Sequence, residues 1–270
     1  TKSIKVLEGK LSTRLFDRTT HSVEPTEAGE RLIHYARDVI GSLYVLEQEA
    51  EHARGLNTGH VAVGSGPYPL EPLLTDTVHA FSLEYPKVQI SVQTGGADGL
   101  LDGLVHRQLD LVVCDVSKYA TASFADQIAV EPLPGEPIVL VHRVGHAVAG
   151  TTFSPADYTR YAWAVPKSSP HFLRHLAPGM RSQSPSALRP QYQVEIPSAC
   201  LKIVESGDVL TAVPRSLARS ACENGKLAMT DLPGTFRTND GIHTLKKKTL
   251  SPAVRTFIDF IQKQAELLAK

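Results

Sequence analysis

The chain has 270 residues, 42% of them hydrophobic and 21% charged, and its 28 lysines and arginines are matched by 28 aspartates and glutamates. That length is more than one comfortable core requires and points to one or two lobes plus an appendage, while the even charge excludes any global signature of a nucleic-acid or membrane partner. Three dispersed cysteines, Cys114, Cys200 and Cys222, argue against a disulfide framework or a zinc site, and no secretion signal or bilayer-length apolar run is present, so a cytoplasmic protein with no membrane partner is expected.

The first segment, TKSIKVLEGKLSTRLF, reads as a helix. Ile4, Leu7 and Leu11 share one face, with Lys2, Lys5 and Gly9 off it. It starts without a capping signal, as if mid-helix. Charge is local here: within residues 1 to 21, Lys2, Lys5, Lys10, Arg14 and Arg18 oppose only Glu8 and Asp17. The following LFDRTTHSVEP pairs apolar Leu15 and Phe16 with a polar tip at Arg18, Thr19, Thr20 and His21, which predicts a short β-ribbon wing. Thr26 to Arg54 predicts a long uninterrupted helix, with Thr26 as N-cap and Glu27 and Glu30 in the first turn, about 40 Å long at 1.5 Å per residue. Leu32, Ala36, Val39, Leu43, Leu46, Ala50 and Ala53 alternate spacings of four and three, the 3.5-residue repeat of a two-helix seam. A second copy of the same helix is the expected partner. Helix, wing and long helix together read as the C-terminal part of a winged helix-turn-helix, whose basic helix enters the DNA major groove.

Beyond the glycines at 55 and 59, strands alternate with helices in the pattern of an α/β architecture with parallel pairing. Strands are expected at 60–64, 88–93 and 109–114 with helices at 69–84 and 98–107, forming a βαβαβ lobe. A second set of strands is expected at 137–142, 162–165, 191–196 and 210–213, with helices at 169–176, 198–206 and 215–224. A returning strand at 241–245 and a closing amphipathic helix at 251–270 complete the chain. The expected division is 1–25 for the partial winged helix, 26–57 for the linker helix and 58–270 for the large region. Within the last, lobe I takes 58–133 and 242–270 and lobe II takes 134–241. Two crossings between lobes allow a hinge.

In open α/β sheets ligands lie beyond the carboxyl ends of the strands, where helix N-termini gather. Those ends carry Ser65, Gly66, Thr94, Gly95, Lys167, Ser168, Ser169 and Ser198. Hydroxyls, bare N–H groups and one lysine suit a small anion, most simply a carboxylate. The plainer reading is that the serines and threonines are ordinary helix caps.

Enzymatic chemistry finds no support. Gly64-Ser65-Gly66 lacks the spacing of a dinucleotide loop or a nucleophile elbow. The eleven histidines are scattered, and His171 and His175 have no acidic neighbour of the metalloprotease kind. Cys200 lies near a helix start, but with no partner thiol close by it is expected to be buried and inert. No catalytic residue, metal or cofactor is expected.

The run SIKVLEGKLSTRLFDRTTHSVEPTEAGERL resembles the DNA-binding signature of the LysR-type transcriptional regulators, through Ile4, Lys5, Leu7, Glu8, Leu11, Leu15, Phe16, Arg18, Thr26, Ala28 and Gly29. The resemblance implies that Thr1, Lys2 and Ser3 belong to the recognition helix and that Arg18, Thr19, Thr20 and His21 sit near phosphates. It also implies that 26–54 is the linker helix of a homodimer or homotetramer. The first two helices of that motif do not precede Thr1, so the sequence is expected to be a truncated form. The large region resembles the family's two-lobed, Rossmann-like effector-binding domain, related in shape to periplasmic solute-binding proteins. Implied partners are double-stranded DNA, a small effector held in part by Ser65, Thr94, Ser168 and Ser169, and RNA polymerase. A two-lobed solute-binding receptor is the competing expectation.

Overall fold

The computed structural model describes residues 2–18, 22–52, 59–117, 125–154, 157–166, 190–232, 236–246 and 248–270. Helix α1 (Lys2–Leu11) leads into strands β1 (Phe16–Arg18) and β2 (Val23–Pro25), an antiparallel wing in which Phe16 faces Pro25 and Arg18 faces Val23. Helix α2 (Glu27–His52) follows. The cap expected at its start is present: Gly29 N–H donates to Thr26 Oγ1 at 3.0 Å.

Lobe I is a five-stranded sheet in the order β4 (Val88–Thr94), β3 (Gly59–Ser65), β5 (Leu111–Asp115), β12 (Asp240–Leu245), β6 (Ile128–Pro132). β3 is parallel to β4 and β5, whereas β12 is antiparallel to β5 and β6. Residues alternate between two covered faces. Val61, Val63, Leu111 and Val113 pack with Phe81 of α3 (Thr75–Glu84) and Val254, Phe257 and Ile261 of α7 (Pro252–Leu268). Ala62, Val112 and Cys114 pack with Leu100, Leu101 and Leu104 of α4 (Ala97–Val105). Burial on both faces explains why these strands read as continuous apolar runs, and each fully buried Phe, Leu or Ile stabilises by about 1.5–3 kcal/mol.

Lobe II has the order β11 (Leu227–Asp231), β7 (Ile138–Arg143), β10 (Val209–Pro214), β8 (Ala162–Pro166), β9 (Tyr192–Val194). Helices α5 (Pro197–Val204) and α6 (Arg215–Cys222) cover one face through Cys200, Leu201, Val204 and Ala218, while Trp163, Phe153 and Tyr158 fill the other.

Three sequence expectations need correction. The sheets are mixed: β10 runs parallel to β8 but antiparallel to β7, and β11 is antiparallel to β7. β6 and β11 were absent from the expected strands, because their half-exposed residues carry too few apolar side chains to stand out. The helix expected from residue 69 begins properly only at Thr75; Glu71 has extended backbone angles (φ −125°, ψ 123°) and three prolines between 67 and 72 hold the chain out of a regular helix. The helix expected at 169–176 lies outside the described residues, as does Ala53 of the proposed seam.

Helix α2 presents two different faces. Its Gly41 face docks on lobe I, where Arg37 pairs with Asp102 at 2.6 Å. A Cβ on Gly41 would lie 2.1 Å from the His106 carbonyl oxygen, so only glycine permits this approach. The opposite face leaves Val39, Leu43 and Leu46 exposed at 61, 56 and 64%, with Ala36 and Ala50 exposed beside them. Leu32 is half-buried.

Gly41→Ala sets helix propensity against steric fit. An interior glycine replaced by alanine gains about 1 kcal/mol where space is open, but the overlap with a backbone oxygen costs about 1–3 kcal/mol or forces α2 away from lobe I. Net destabilisation in urea unfolding is expected, together with greater amide exchange across residues 102–107; a more stable Gly41→Ala protein would refute the close docking.

Candidate functional site

At the N-terminal end, the residues that make the sequence distinctive turn out to brace one another. Glu8 Oε1 accepts the N–H groups of Leu15 at 2.8 Å and Phe16 at 3.2 Å, tying α1 to the wing. The Leu15 hydrogen bond, helped by that of Phe16 and by Arg18 and Arg14 nearby, holds the Glu8 carboxyl below its usual range. Thr26 donates through Oγ1 to the Arg14 carbonyl at 2.8 Å and through N–H to that of Leu15 at 2.9 Å. A Cβ on Gly29 would stand 2.1 Å from the Leu15 oxygen, which fixes glycine at that position. Lys2, Ser3, Lys5 and Arg18 are all exposed on this frame. Thr1, Thr19, Thr20 and His21 lie outside the described residues.

The second region is the meeting of the two lobes. Strands β3, β4 and β5 of lobe I end at Ser65, Thr94 and Asp115, and α5 of lobe II starts at Pro197. Ser65 is fully buried, and its hydroxyl donates to the Gly66 carbonyl at 2.8 Å. Gly66 N–H donates to Val113 O and Gly95 N–H to Ser65 O, so both backbone donors are engaged within lobe I in this conformation. Thr94 is exposed. Ser198 reaches across: its hydroxyl donates to Glu71 Oε1 at 3.3 Å, lobe II to lobe I. Tyr68 adds a second crossing, its phenol donating to the Ala212 carbonyl at 3.3 Å. Of the expected cluster, then, the lobe I members sit at the strand ends and Ser198 meets lobe I at Glu71, while Lys167, Ser168 and Ser169 lie outside the described residues.

Glu71 and Tyr68 were missed by sequence reasoning. The available signal was the proline-rich run Pro67-Tyr68-Pro69-Leu70-Glu71-Pro72, which follows the carboxyl end of a central strand and cannot be regular helix throughout.

Behind the cleft lie the two chain crossings. Thr238 N–H donates to Glu136 O at 2.8 Å, Glu136 N–H to Thr238 Oγ1 at 2.9 Å, and Pro137 bridges Arg237. A small open crevice beside them is lined by Tyr68, Pro72, Leu133, Glu136, Pro214 and Asp240 among others. Glu136 is buried; burial pushes its carboxyl above the usual range, against the Ser216 hydrogen bonds at the start of α6. Asp240 opens β12 directly opposite Asp115 on β5. Burial, with the Asp115 charge adding to it, pushes Asp240 up to about 7.

Cys200 is fully buried and its thiol is pushed up to about 12 by that burial, in line with the inert cysteine expected from sequence. Among the described residues no group of three or more His, Cys, Asp or Glu could hold a metal ion, and no helix is long and apolar enough to cross a membrane.

The LysR substrate binding domain family matches residues 54–266. The SDS degradation transcriptional activation protein of a Pseudomonas species is 28% identical over 261 residues, covering 93% of this chain and 82% of that protein. The HTH-type transcriptional regulator YbhD of Escherichia coli, itself uncharacterised, is 26% identical over 261 residues, covering 95% of this chain and 80% of its own. Among solved structures, CbnR, a LysR family transcriptional regulator, superposes with a TM-score of 0.69 at 19% identity, covering 98% of this chain and 88% of its own. The oxidised form of Corynebacterium glutamicum OxyR does so with a TM-score of 0.60 at 20% identity, covering 99% of this chain and 83% of its own. At such identities the structural likeness establishes the fold, two α/β lobes behind a long helix.

The Asp240 carboxyl generates a pH prediction. A folded-state value near 7 against an ordinary 3.8 means that the folded protein holds a proton the unfolded chain has released. Stability is therefore fully present below about pH 4 as far as this group is concerned and is lost as pH rises through about 7. Asp240→Asn, which cannot ionise, should show a smaller fall in Tm between pH 5 and pH 8 than the parent; an unchanged fall would remove Asp240 as its source.

Proposed function

The chain belongs to the family of LysR-type transcriptional regulators, and from that premise we propose that it is a ligand-responsive DNA-binding regulator. In this reading residues 1–25 form the DNA-reading end, 26–57 the dimerising linker helix and 58–270 the effector-binding region. The observation that carries it is the braced unit of α1, wing and α2, continuous with a two-lobed sensor in one chain. Lys2 and Lys5 would lie along the major groove and Arg18 against the backbone, where cations replace condensed counterions. Thr1, Ser3, Thr19, Thr20 and His21 complete the proposed contact set.

Dimerisation through α2 follows from its exposed face. Val39, Leu43 and Leu46 are spaced for a two-helix seam, and a partner helix would cover apolar area that is otherwise left in water. Two copies then place two basic helices for half-sites one or more turns apart. The inter-lobe cleft is proposed as the effector site, with Ser65, Gly66, Thr94, Gly95, Lys167, Ser168, Ser169 and Ser198 around a small molecule carrying a carboxylate. Binding acts by population shift: the ligand prefers one relation of the lobes and thereby biases the relation of the DNA-reading ends. RNA polymerase is the proposed downstream partner and the cytoplasm the proposed location. The family is one of regulators, and no catalytic role is assigned to any residue.

DNA affinity should fall steeply with salt, with a log–log slope of roughly −0.9 per phosphate neutralised. With the protein as encoded and DNA from upstream of its own gene, Lys2→Ala and Lys5→Ala should each weaken binding and flatten that slope by about 1 if they touch phosphate. Salt-independent binding, or none, would sink the regulator reading. Separately, Leu43→Glu combined with Leu46→Glu should shift the sedimenting species toward monomer at micromolar concentration without loss of helix signal. Persistence of the parent assembly would exclude the α2 seam.

A further inference from the structure

Glu71 occupies an unusual position for a site expected to receive an anion. It stands at the lip of lobe I, six residues past the end of β3, and reaches lobe II through Ser198. That hydroxyl lies 3.3 Å from Glu71 Oε1, long beside the roughly 2.5–2.7 Å usual when a hydroxyl donates to a carboxylate. The other oxygen, Oε2, is buried and has no hydrogen-bond partner among the described residues. Buried carboxylate oxygens are seldom left without donors, because the lost hydration is not recovered. Among the described residues one oxygen is thus weakly served and the other is left without a donor.

Among the described residues, lobe I supplies the Glu71 carboxylate with no hydrogen-bond donor. On the lobe II side the arrangement is reversed. Helix α5 begins at Pro197, its N-cap residue Ile196 makes no side-chain cap, and the positive end of the helix favours an acidic group. We infer that the ligand of this cleft carries a protonated amine received by Glu71 together with an acidic group held toward the start of α5 and Thr94, and so belongs to the amino-acid class. The inference rests on the cleft being the effector site, and it narrows the carboxylate reading given above.

Charge and donor count decide between ligand types. An ammonium group offers three N–H donors and a full positive charge, enough for both Glu71 oxygens at once. A hydroxyl offers one donor, and a plain carboxylic acid offers none while adding a like charge near Glu71. The ammonium would also take Oε1 from Ser198 and so release a side-chain bond between the lobes. Occupancy and lobe relation are coupled at a single carboxylate, which gives a ligand the differential affinity for two states that a population shift requires.

The test uses the whole protein and two matched sets of probes: alanine, lactate and propionate, and phenylalanine, phenyllactate and 3-phenylpropionate. Tm shift and titration calorimetry are read for each. In at least one set the amine should raise Tm and bind about 10-fold or more tighter than its hydroxy and unsubstituted counterparts. Glu71→Gln should erase that preference, bringing the set to within about 3-fold. Glu71→Ala, which removes the carboxylate altogether, should erase the amine preference likewise, and it decides the matter should Glu71→Gln fail to fold. Equal or tighter binding of the unsubstituted acids, or an amine preference that survives Glu71→Gln or Glu71→Ala, would overturn the inference. Silence of all six probes also counts against it, whereas the regulator reading is judged separately by salt-sensitive DNA binding.

Discussion

The adjacency of the two inter-lobe crossings is the constraint on which the rest of this molecule depends. Residues 133–137 and 237–240 run side by side, joined by the Thr238–Glu136 hydrogen bonds and the Pro137–Arg237 bridge. Gly135 approaches so closely that a Cβ there would sit 2.3 Å from the Thr238 carbonyl oxygen. Two short strands bonded to each other bend about one line, so the lobes can alter their mutual angle without disturbing either core. The carboxyl edges of both sheets face each other in front of that line, and Tyr68 and Glu71 touch lobe II across the gap. A ligand placed there acts on a hinge whose two sides are rigid for reasons of packing.

The polar groups at the hinge show how finely that line is balanced. Glu136 is buried at the start of α6, where helix N–H groups favour its anionic form while burial opposes it. Asp240 faces Asp115 across an antiparallel pair, an arrangement that disfavours two simultaneous charges. Neither group belongs to a core, and both belong to the strands that carry the chain between lobes.

Helix α2 connects the other end of the molecule to this frame. Its Gly41 face is fitted to the end of α4, with Arg37 on Asp102 and no space for a Cβ. At its other end, Thr26 and Gly29 lock it to Leu15 and the wing, and Glu8 locks the wing to α1. The exposed Val39, Leu43 and Leu46 run along the opposite side. One rod thus joins three things: the sensor, the basic end and an apolar seam. The two-lobed portion alone would serve a solute-binding receptor equally well; the braced N-terminal unit and the family match are what favour a regulator.

Much of this was present in the linear order. A 3.5-residue repeat in α2, the cap at Thr26 and the continuous apolar runs of β3 and β5 are local patterns, set by helix pitch, strand alternation and hydrogen-bonding chemistry within a few residues, and they determined the long helix, the two lobes and the basic end. The strength of Glu8 and Gly29 as signature residues was legible, but their reason was not, since each acts on Leu15 from a different element. Strand direction lay further out of reach: β6 and β11 have weak patterns, and antiparallel placement of β7 and β12 depends on partners far away in the chain, as Val141 beside Thr211 and Ile242 beside Val113 show. The cleft followed the same division. Ser198 could be placed at a helix start by its neighbours, but Glu71 became its partner only through folding, 127 positions earlier in the chain, because contacts between lobes are chosen by the packing of two sheets and leave no periodic trace in sequence.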